Sequence, residues 1–320
     1  MKIAVLIPCY NEALTVGAVV RDFRAALPDS EIYVYDNNSK DATAAAACDA
    51  GAELRFERLR GKGNVVRRMF ADIEADAYVL VDGDATYHAA SAPEMIRRLA
   101  SERLDMVVGR RRPDDTAAVY RTGHEFGNRI LTSVVGWAFG GQFEDMLSGY
   151  RVLSRRFVKT FPALASGFET ETELTVHALS LKLPVAEVDT PYFARPEGSN
   201  SKLQTYRDGA RILMTILRLL KEERPLAFFA AISAALIIVA LLLAAPIFVT
   251  YAETGLVPRL PTALGATGVA LLAFLSLASA FILDSVRHGR LEMRRLSYLR
   301  LPALSQVEAI SPASITIVAD

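Results

Sequence analysis

AYVLVDGDA, residues 77–85, is the stretch on which the fold turns. Its apolar run stops abruptly at two carboxylates, Asp82 and Asp84, with Gly83 between them. A short, continuously apolar run suits a strand buried on both faces, and the glycine leaves the backbone free to approach a ligand. Two carboxylates there can hold a divalent cation whose other ligands are phosphate oxygens. The same tripeptide can also be no more than a tight turn.

The rhythm continues on both sides. KIAVLIP (2–8), EIYVYD (31–36), ELRFER (53–58) and DMVVGRR (105–111) read as further strands. Between them lie helical patterns: Val16, Val19, Val20, Phe23 and Leu27; an alanine-rich stretch from Asp41; GKGNVVRRMFADI (61–73); and PEMIRRLASE (93–102). Strands alternating with helices predict βαβ units and a mostly parallel sheet with flanking helices, an α/β fold. Ligands of such sheets bind beyond the carboxyl ends of the strands. That points to residues 8–12, 36–41, 82–84 and 109–112. A dinucleotide fold is excluded, because the first turn, PCYNEAL, lacks G-x-G-x-x-G, and the P-loop signature is absent too. Asp36, closing the second strand, can accept hydrogen bonds from a base edge or ribose, or can cap a helix. Residues 37–39 suit a turn.

The chain has 320 residues, with 36 Lys and Arg against 36 Asp and Glu. Zero net charge argues against a nucleic-acid partner, and a hydrophobic content of 52% excludes a disordered chain. Two cysteines, Cys9 and Cys48, suggest a reducing compartment rather than a disulfide framework. Charge is almost missing between Arg224 and Asp284, where two apolar stretches flank the short loop 253–259. Both are long enough to cross a bilayer; buried helices of a soluble core are the alternative. Lys221 and Arg224 on one side, and Arg287, Arg290, Arg294, Arg295 and Arg300 on the other, put both ends of this hairpin in the cytoplasm by the positive-inside rule. No signal peptide is expected, because residues 3–8 are too short for an h-region. Just upstream, residues 207–224 form an amphipathic pattern, with Arg207, Arg211, Arg218 and Glu222 on one face. It suits either an interfacial helix in the headgroup plane or a helix docked on the domain. The expected organisation is a cytoplasmic domain (1–205), an interfacial helix (206–224), two spans within 225–285 (about 226–250 and 262–283) and a basic tail (286–320) at the inner membrane. Small residues Gly265, Gly268, Ser276 and Ser279 would let hairpins associate as a homo-oligomer.

Taken in order, IPCYNE, DNNSKDAT, the Gly61-Lys62-Gly63 turn, VDGDATY and DMLSGYR resemble the family 2 glycosyltransferases of the GT-A fold. With RPEGSNSKL and the two spans, the chain more narrowly resembles the polyprenyl-phosphate glycosyltransferases, the dolichol-phosphate-mannose-synthase-like group. The resemblance implies that Pro8, Tyr10, Asn11, Glu12, Asp36, Asn38, Lys62, Asp82 and Gly83 bind a nucleotide sugar. It also implies that Asp84, with Asp82, binds Mg2+ or Mn2+ bridging the diphosphate. Asn37 stands where the family often has a second Asp. For the acceptor, the resemblance points to Arg110, Arg121, Arg195 and Lys202, with Ser199, as groups that offset repulsion between phosphates. Arg121, Asp84 and Asp145 form the implied catalytic set. Asp145 resembles the family's general base, although an aspartate occupies that position in the lipid-phosphate group as well. In GFETETEL (167–174), Glu169 and Glu173 share a helical face while Glu171 points away. His124 and His177 lack metal-ligand spacing and read as structural.

Three functions are weighed. The first is inverting transfer from a UDP-sugar, in preference to GDP-mannose, to undecaprenyl or dolichyl phosphate. The second is the same fold acting on a hydroxyl acceptor such as a glycolipid. The third is a non-catalytic nucleotide-sugar-binding scaffold, which would be expected to have lost Asp82 or Asp84. A processive polysaccharide synthase is disfavoured, because Q-x-x-R-W is missing and Trp137 follows Gly136.

Overall fold

The computed structural model describes residues 1–113, 136, 140, 143–167, 169–196 and 205–303. It divides into two units, Met1–Thr215 with Arg294–Asp320, and Ile216–Met293.

The first unit is built on one sheet. Its strands are β1 (Ile3–Cys9), β2 (Glu31–Asp36), β3 (Glu53–Phe56), β4 (Ala77–Leu80), β5 (Met106–Pro113), β6 (Arg151–Ser154) and β7 (Val185–Tyr192), in the spatial order β3-β2-β1-β4-β6-β5-β7. β6 runs against β4 and β5, and the other pairs are parallel. β1 and β4 are apolar throughout because both faces are covered. On one face α1 (Val16–Ala26) and α4 (Ala92–Ser101) bring Val16, Val20, Phe23, Met95 and Leu99 into the core. On the other, α3 (Lys62–Asp72), α5 (Arg155–Thr160) and α6 (Thr170–Leu181) supply Val65, Met69, Phe157 and Leu174. α2 (Thr43–Asp49) follows β2. The buried set of α1, Val16, Val19, Val20 and Phe23, has the spacing of one helical face that the sequence predicts.

Two strands escape the sequence pattern, and one strand end moves. β6 is four residues long and opens with Arg151, so it reads as polar. β7 stands at the end of the sheet order, next to β5, and carries Glu187 and Asp189. Residues 109–112 do not follow a strand end as expected. They lie inside β5, where Gly109–Arg112 pair with Val188–Pro191 of β7 beyond the point where β6 stops.

The last turns of a long helix, α9 (Leu260–Arg300), belong to this first unit from Arg294 onward. The Tyr298 hydroxyl donates to Asp105 Oδ2 at 2.8 Å. Arg156 lies 5.0 Å over the Tyr298 ring and donates through Nε to the Leu301 carbonyl at 2.8 Å. Asp105 directly precedes β5, so this contact is at the end of the sheet opposite the strands' carboxyl ends.

α7 (Thr205–Glu223) enters the second unit at Ile216, and α8 (Pro225–Thr254) and the body of α9 complete it. α8 and α9 are long and apolar enough to cross a membrane. The buried-core alternative does not describe them, because Leu242 is 70% and Phe248 69% exposed. They pack on each other through small residues, with Ala240, Ala266, Ala273 and Ala280 buried. Ser233 Oγ donates to the Ala273 carbonyl at 2.9 Å and Ser276 Oγ to that of Phe229 at 3.0 Å. Ser276 is thus used inside the hairpin.

Candidate active site

The carboxyl ends of β1 and β2 are stitched to each other. Asn11, in the left-handed region at φ 53°, donates its backbone N–H to Ser39 Oγ at 2.9 Å, and its side-chain oxygen accepts from Lys40 N at 2.8 Å. The Glu12 amide donates to Thr43 Oγ1 at 2.8 Å, and Asn37 N donates to the Cys9 carbonyl at 2.9 Å. Asp36 is buried and accepts from Ser39 N at 3.2 Å, so it acts as a turn cap. Pro8 and Tyr10 stand half-buried beside this seam.

Asn37 accounts for its own departure from the family pattern. Its Nδ2 donates to the carbonyls of Glu57 and Leu59, both at 2.8 Å, and its Oδ1 accepts from Gly61 N at 2.7 Å. Asn38 adds a bond to the Arg58 carbonyl at 2.9 Å. The two asparagines therefore fix the loop that delivers Lys62; a carboxylate at 37 could not donate these bonds. Gly61 has φ 121°, and a β-carbon on it would collide with the Ser166 carbonyl. Only glycine meets both demands.

Lys62 and the β4 end form the middle of the site. The Lys62 ammonium pairs with Asp82 Oδ1 and, at 2.5 Å, with Glu171 Oε1. Burial alone would lower its pKa, but the Asp82 and Glu171 carboxylates outweigh that and hold it above the ordinary lysine value. The Gly83 carbonyl accepts from Thr15 Oγ1 at 2.7 Å, which ties the turn to α1. Asp84 is buried; its Oδ1 accepts from Thr86 Oγ1 at 2.6 Å, and its Oδ2 pairs with Arg195 Nη2 at 2.5 Å. Burial first, and then repulsion from Asp82, pushes the Asp84 carboxyl above the usual range, with Arg195 opposing. A β-carbon on Gly149, in the SGYR motif, would meet Asp82 Oδ2 at 2.5 Å, so this loop lies directly against the Lys62–Asp82 pair.

The third group lies where β5 and β7 run together. Arg110 pairs with Glu144 and Asp189, whereas Arg111 donates to both oxygens of Asp145 at 2.6 and 2.7 Å. Alternation along a strand sends neighbouring side chains to opposite faces, and Arg112 accordingly joins Arg110 at Asp189. Arg111 also lies 5.5 Å over the Tyr192 ring. The amides of Glu144 and Asp145 donate to Glu187, whose carboxyl burial pushes upward. Arg151, fully buried, donates to the carbonyls of Met146, Ser148 and Glu171, so one side chain holds the 145–150 loop to α6. Burial pulls its pKa down to about 10.

The family model for glycosyl transferase family 2 matches residues 4–160. Glycosyltransferase AglJ of Haloferax volcanii is 34% identical over 231 residues, 72% of this chain and 76% of that protein. Protein RfbJ of Shigella flexneri is 56% identical over 123 residues, 38% of this chain and 95% of that protein. This chain belongs to glycosyl transferase family 2. Among solved structures, glucosyl-3-phosphoglycerate synthase from Mycobacterium tuberculosis, crystallised with Mn2+, UDP-glucose and phosphoglyceric acid, superposes with a TM-score of 0.57. The identity is 22%, covering 68% of this chain and 79% of that one. The first unit therefore has the GT-A fold that the motifs implied, and the protein is a glycosyltransferase.

Within this glycosyltransferase, the expected residues fall into charged groups: Lys62 with Asp82, Asp84 with Arg195, and Asp145 with Arg111, a residue not among those expected. Arg121, Ser199 and Lys202 lie outside the described residues. Sequence reasoning passed over Arg111, Glu171 and Arg151. Strand alternation could have separated Arg111 from Arg110. Helical spacing did set Glu171 apart from Glu173; Glu173 accepts from the amides of Leu164 and Ala165, and Glu171 is the one that reaches Lys62. His177 packs edge-on against Phe157 and Phe161, away from these groups.

Proposed function

We propose that this glycosyltransferase moves a sugar, with inversion, from a nucleoside-diphosphate sugar to a polyprenyl phosphate at the cytoplasmic face of a membrane. The observation that carries this reading is the bidentate Arg111–Asp145 pair. A hydroxyl acceptor needs a general base, and Asp145 is the residue the family resemblance offers. A carboxylate with both oxygens committed to a guanidinium is a poor proton acceptor. A phosphate acceptor needs none, because its oxygen is already ionised. The reaction then requires no proton transfer. The acceptor oxygen forms a bond to C1 as the C1–O bond to the diphosphate breaks, and the leaving phosphate keeps the electron pair. Positioning and electrostatic stabilisation carry the catalysis.

Pro8, Tyr10, Asn11, Glu12, Asp36 and the loop fixed by Asn37 and Asn38 would line the nucleoside side. Asp82 and Asp84 would face the diphosphate, and Arg110, Arg111 and Arg195 would meet the phosphates. The carboxylates fit Mg2+ or Mn2+. Among the described residues no three His, Cys, Asp or Glu groups converge, so the protein would supply one or two carboxylates and the diphosphate the rest. Arg195 already puts positive charge on Asp84 Oδ2, which is where a cation is wanted. When bound, the ion would neutralise charge growing on the leaving group. A UDP-sugar is favoured because glucosyl-3-phosphoglycerate synthase, which shares the fold, has been crystallised with UDP and with UDP-glucose.

Membrane residence is supported by α8 and α9 and by the exposed Leu213, Met214 and Leu217 of α7. Two crossings return the chain to its starting side, and residues from Arg294 rejoin the first unit, in accord with the basic residues at both ends. A domain arrangement of 1–205, 206–224, 225–285 and 286–320 follows from the same reading.

Purified protein in detergent, given Mn2+, a panel of UDP- and GDP-sugars and undecaprenyl phosphate, tests the proposal by mass spectrometry of the lipids. A glycosylated lipid phosphate, lost in Asp84→Asn, is the expected result. Donor turnover without it would favour a hydroxyl acceptor, and tight nucleotide binding without turnover would favour a scaffold.

A further inference from the structure

Glu171 has no part in the scheme above, yet it is only 5% exposed. It lies in the first turn of α6, and among the described residues its ionic partner is Lys62, through Oε1 at 2.5 Å. Its second oxygen, Oε2, is buried and accepts no hydrogen bond among the described residues. Burying a carboxylate with half its capacity unused is unfavourable. The position therefore makes sense only through what Glu171 does to Lys62.

Lys62 is held between two carboxylates. Gly63 N donates to the Ser166 carbonyl at 3.2 Å, and Glu173 fixes residues 164 and 165 from α6. Arg151 Nη2 donates to the carbonyl of Glu171 at 3.1 Å. The start of α3 and the start of α6 are thus one joint, with the Lys62 side chain inside it, bridging Glu171 to Asp82. Paired one to one, Lys62 and Asp82 would be neutral. With Glu171 sharing the ammonium, the three groups together carry one negative charge.

We propose that Glu171 is a positioning residue for the donor site, which by sharing Lys62 leaves Asp82 net negative and able to attract a divalent cation bound to a nucleoside diphosphate. The inference rests on the reading of Asp82 and Asp84 as the donor-site carboxylates. Glu171→Gln removes one negative charge and gives Lys62 wholly to Asp82, and both changes act against a cation.

The test is titration of the full-length, detergent-solubilised protein with Mn2+ in the presence of UDP, followed by the electron paramagnetic resonance of free Mn2+, with a melting curve for each variant. Glu171→Gln is expected to bind Mn2+ about tenfold more weakly than the wild type at an unchanged melting temperature. Removing the ammonium as well, in Lys62→Gln/Glu171→Gln, should recover most of that loss, which a merely structural role for Glu171 would not allow. Lys62→Gln alone should bind Mn2+ at least as tightly as the wild type, and this arm decides the matter if Glu171→Gln does not fold. Unchanged Mn2+ affinity in Glu171→Gln, or a double variant no better than the single one, would overturn the inference. Failure of the wild type itself to bind Mn2+ with UDP would instead remove the donor-site reading, and this inference with it.

Discussion

Arg111 and Asp145 meet through three hydrogen bonds: Nε and Nη2 reach the two carboxylate oxygens at 2.7 and 2.6 Å, and the Arg111 amide adds a third at 3.2 Å. Asp145 is 4% exposed, so its charge is tolerated because the arginine is there. Arg111→Ala should therefore lower stability by about 3–5 kcal/mol, measured by denaturant unfolding. Arg111→Ala/Asp145→Asn should be less destabilised than Arg111→Ala alone, because the buried carboxylate charge that Arg111 balances is then removed with it. An Arg111→Ala protein as stable as the wild type would mean that Asp145 finds another partner.

Asn37→Asp restores the residue common in the family, and it should be harmful here. Two donors to the Glu57 and Leu59 carbonyls are lost, and a buried carboxylate is set against both oxygens. The expected cost is about 2–4 kcal/mol, together with weaker nucleotide binding as the loop before Lys62 loosens. Calorimetric melting and UDP titration would check the two parts separately.

Much of this was legible in the sequence, and the limits have physical causes. β1 and β4 could be read because helices cover both faces and leave only apolar residues on them. Asp82, Asp84 and Asp36 stand out in the sequence because each follows or closes an apolar strand; Asp36 caps the turn at Ser39, where the sequence offered a helix cap as its simpler role. β6 was hidden by Arg151, whose charge is satisfied by carbonyls that no local pattern reveals. The Lys62–Glu171 pair joins residues far apart in sequence, so spacing could separate Glu171 from Glu173 but could not say what it meets.

Burial, and next the positive charge of Arg294, lowers the His177 pKa to about 3. An unfolded histidine takes up a proton near pH 6.5. The stability present above pH 6.5 should therefore be lost as pH falls toward 3, at about 1.4 kcal/mol per pH unit from this group. His177→Phe removes that proton uptake along with a buried Nδ1 that has no hydrogen-bond partner among the described residues. Unfolding curves between pH 7 and pH 4 should fall less steeply for the variant, and parallel curves would refute the assignment.

Tyr298→Phe should cost about 1–2 kcal/mol, the value of a hydrogen bond to a charged group, because Asp105 loses the Tyr298 hydroxyl and keeps the Ser154 hydroxyl. The Arg156–ring contact survives in phenylalanine. Asp105→Asn/Tyr298→Phe should lose less than the sum of the two single changes, which a double-mutant cycle on melting temperatures would reveal.

A phosphate acceptor arrives already ionised and needs no base, whereas an alcohol must lose a proton. Undecaprenyl phosphate and the corresponding alcohol, undecaprenol, should be offered side by side with one UDP-sugar that the protein turns over, and the lipid products read by mass spectrometry. Transfer to the phosphate and none to the alcohol is the result predicted here. A glycosylated alcohol whose formation disappears in Asp145→Asn would contradict it, and would make Asp145 the base that its pairing with Arg111 argues against.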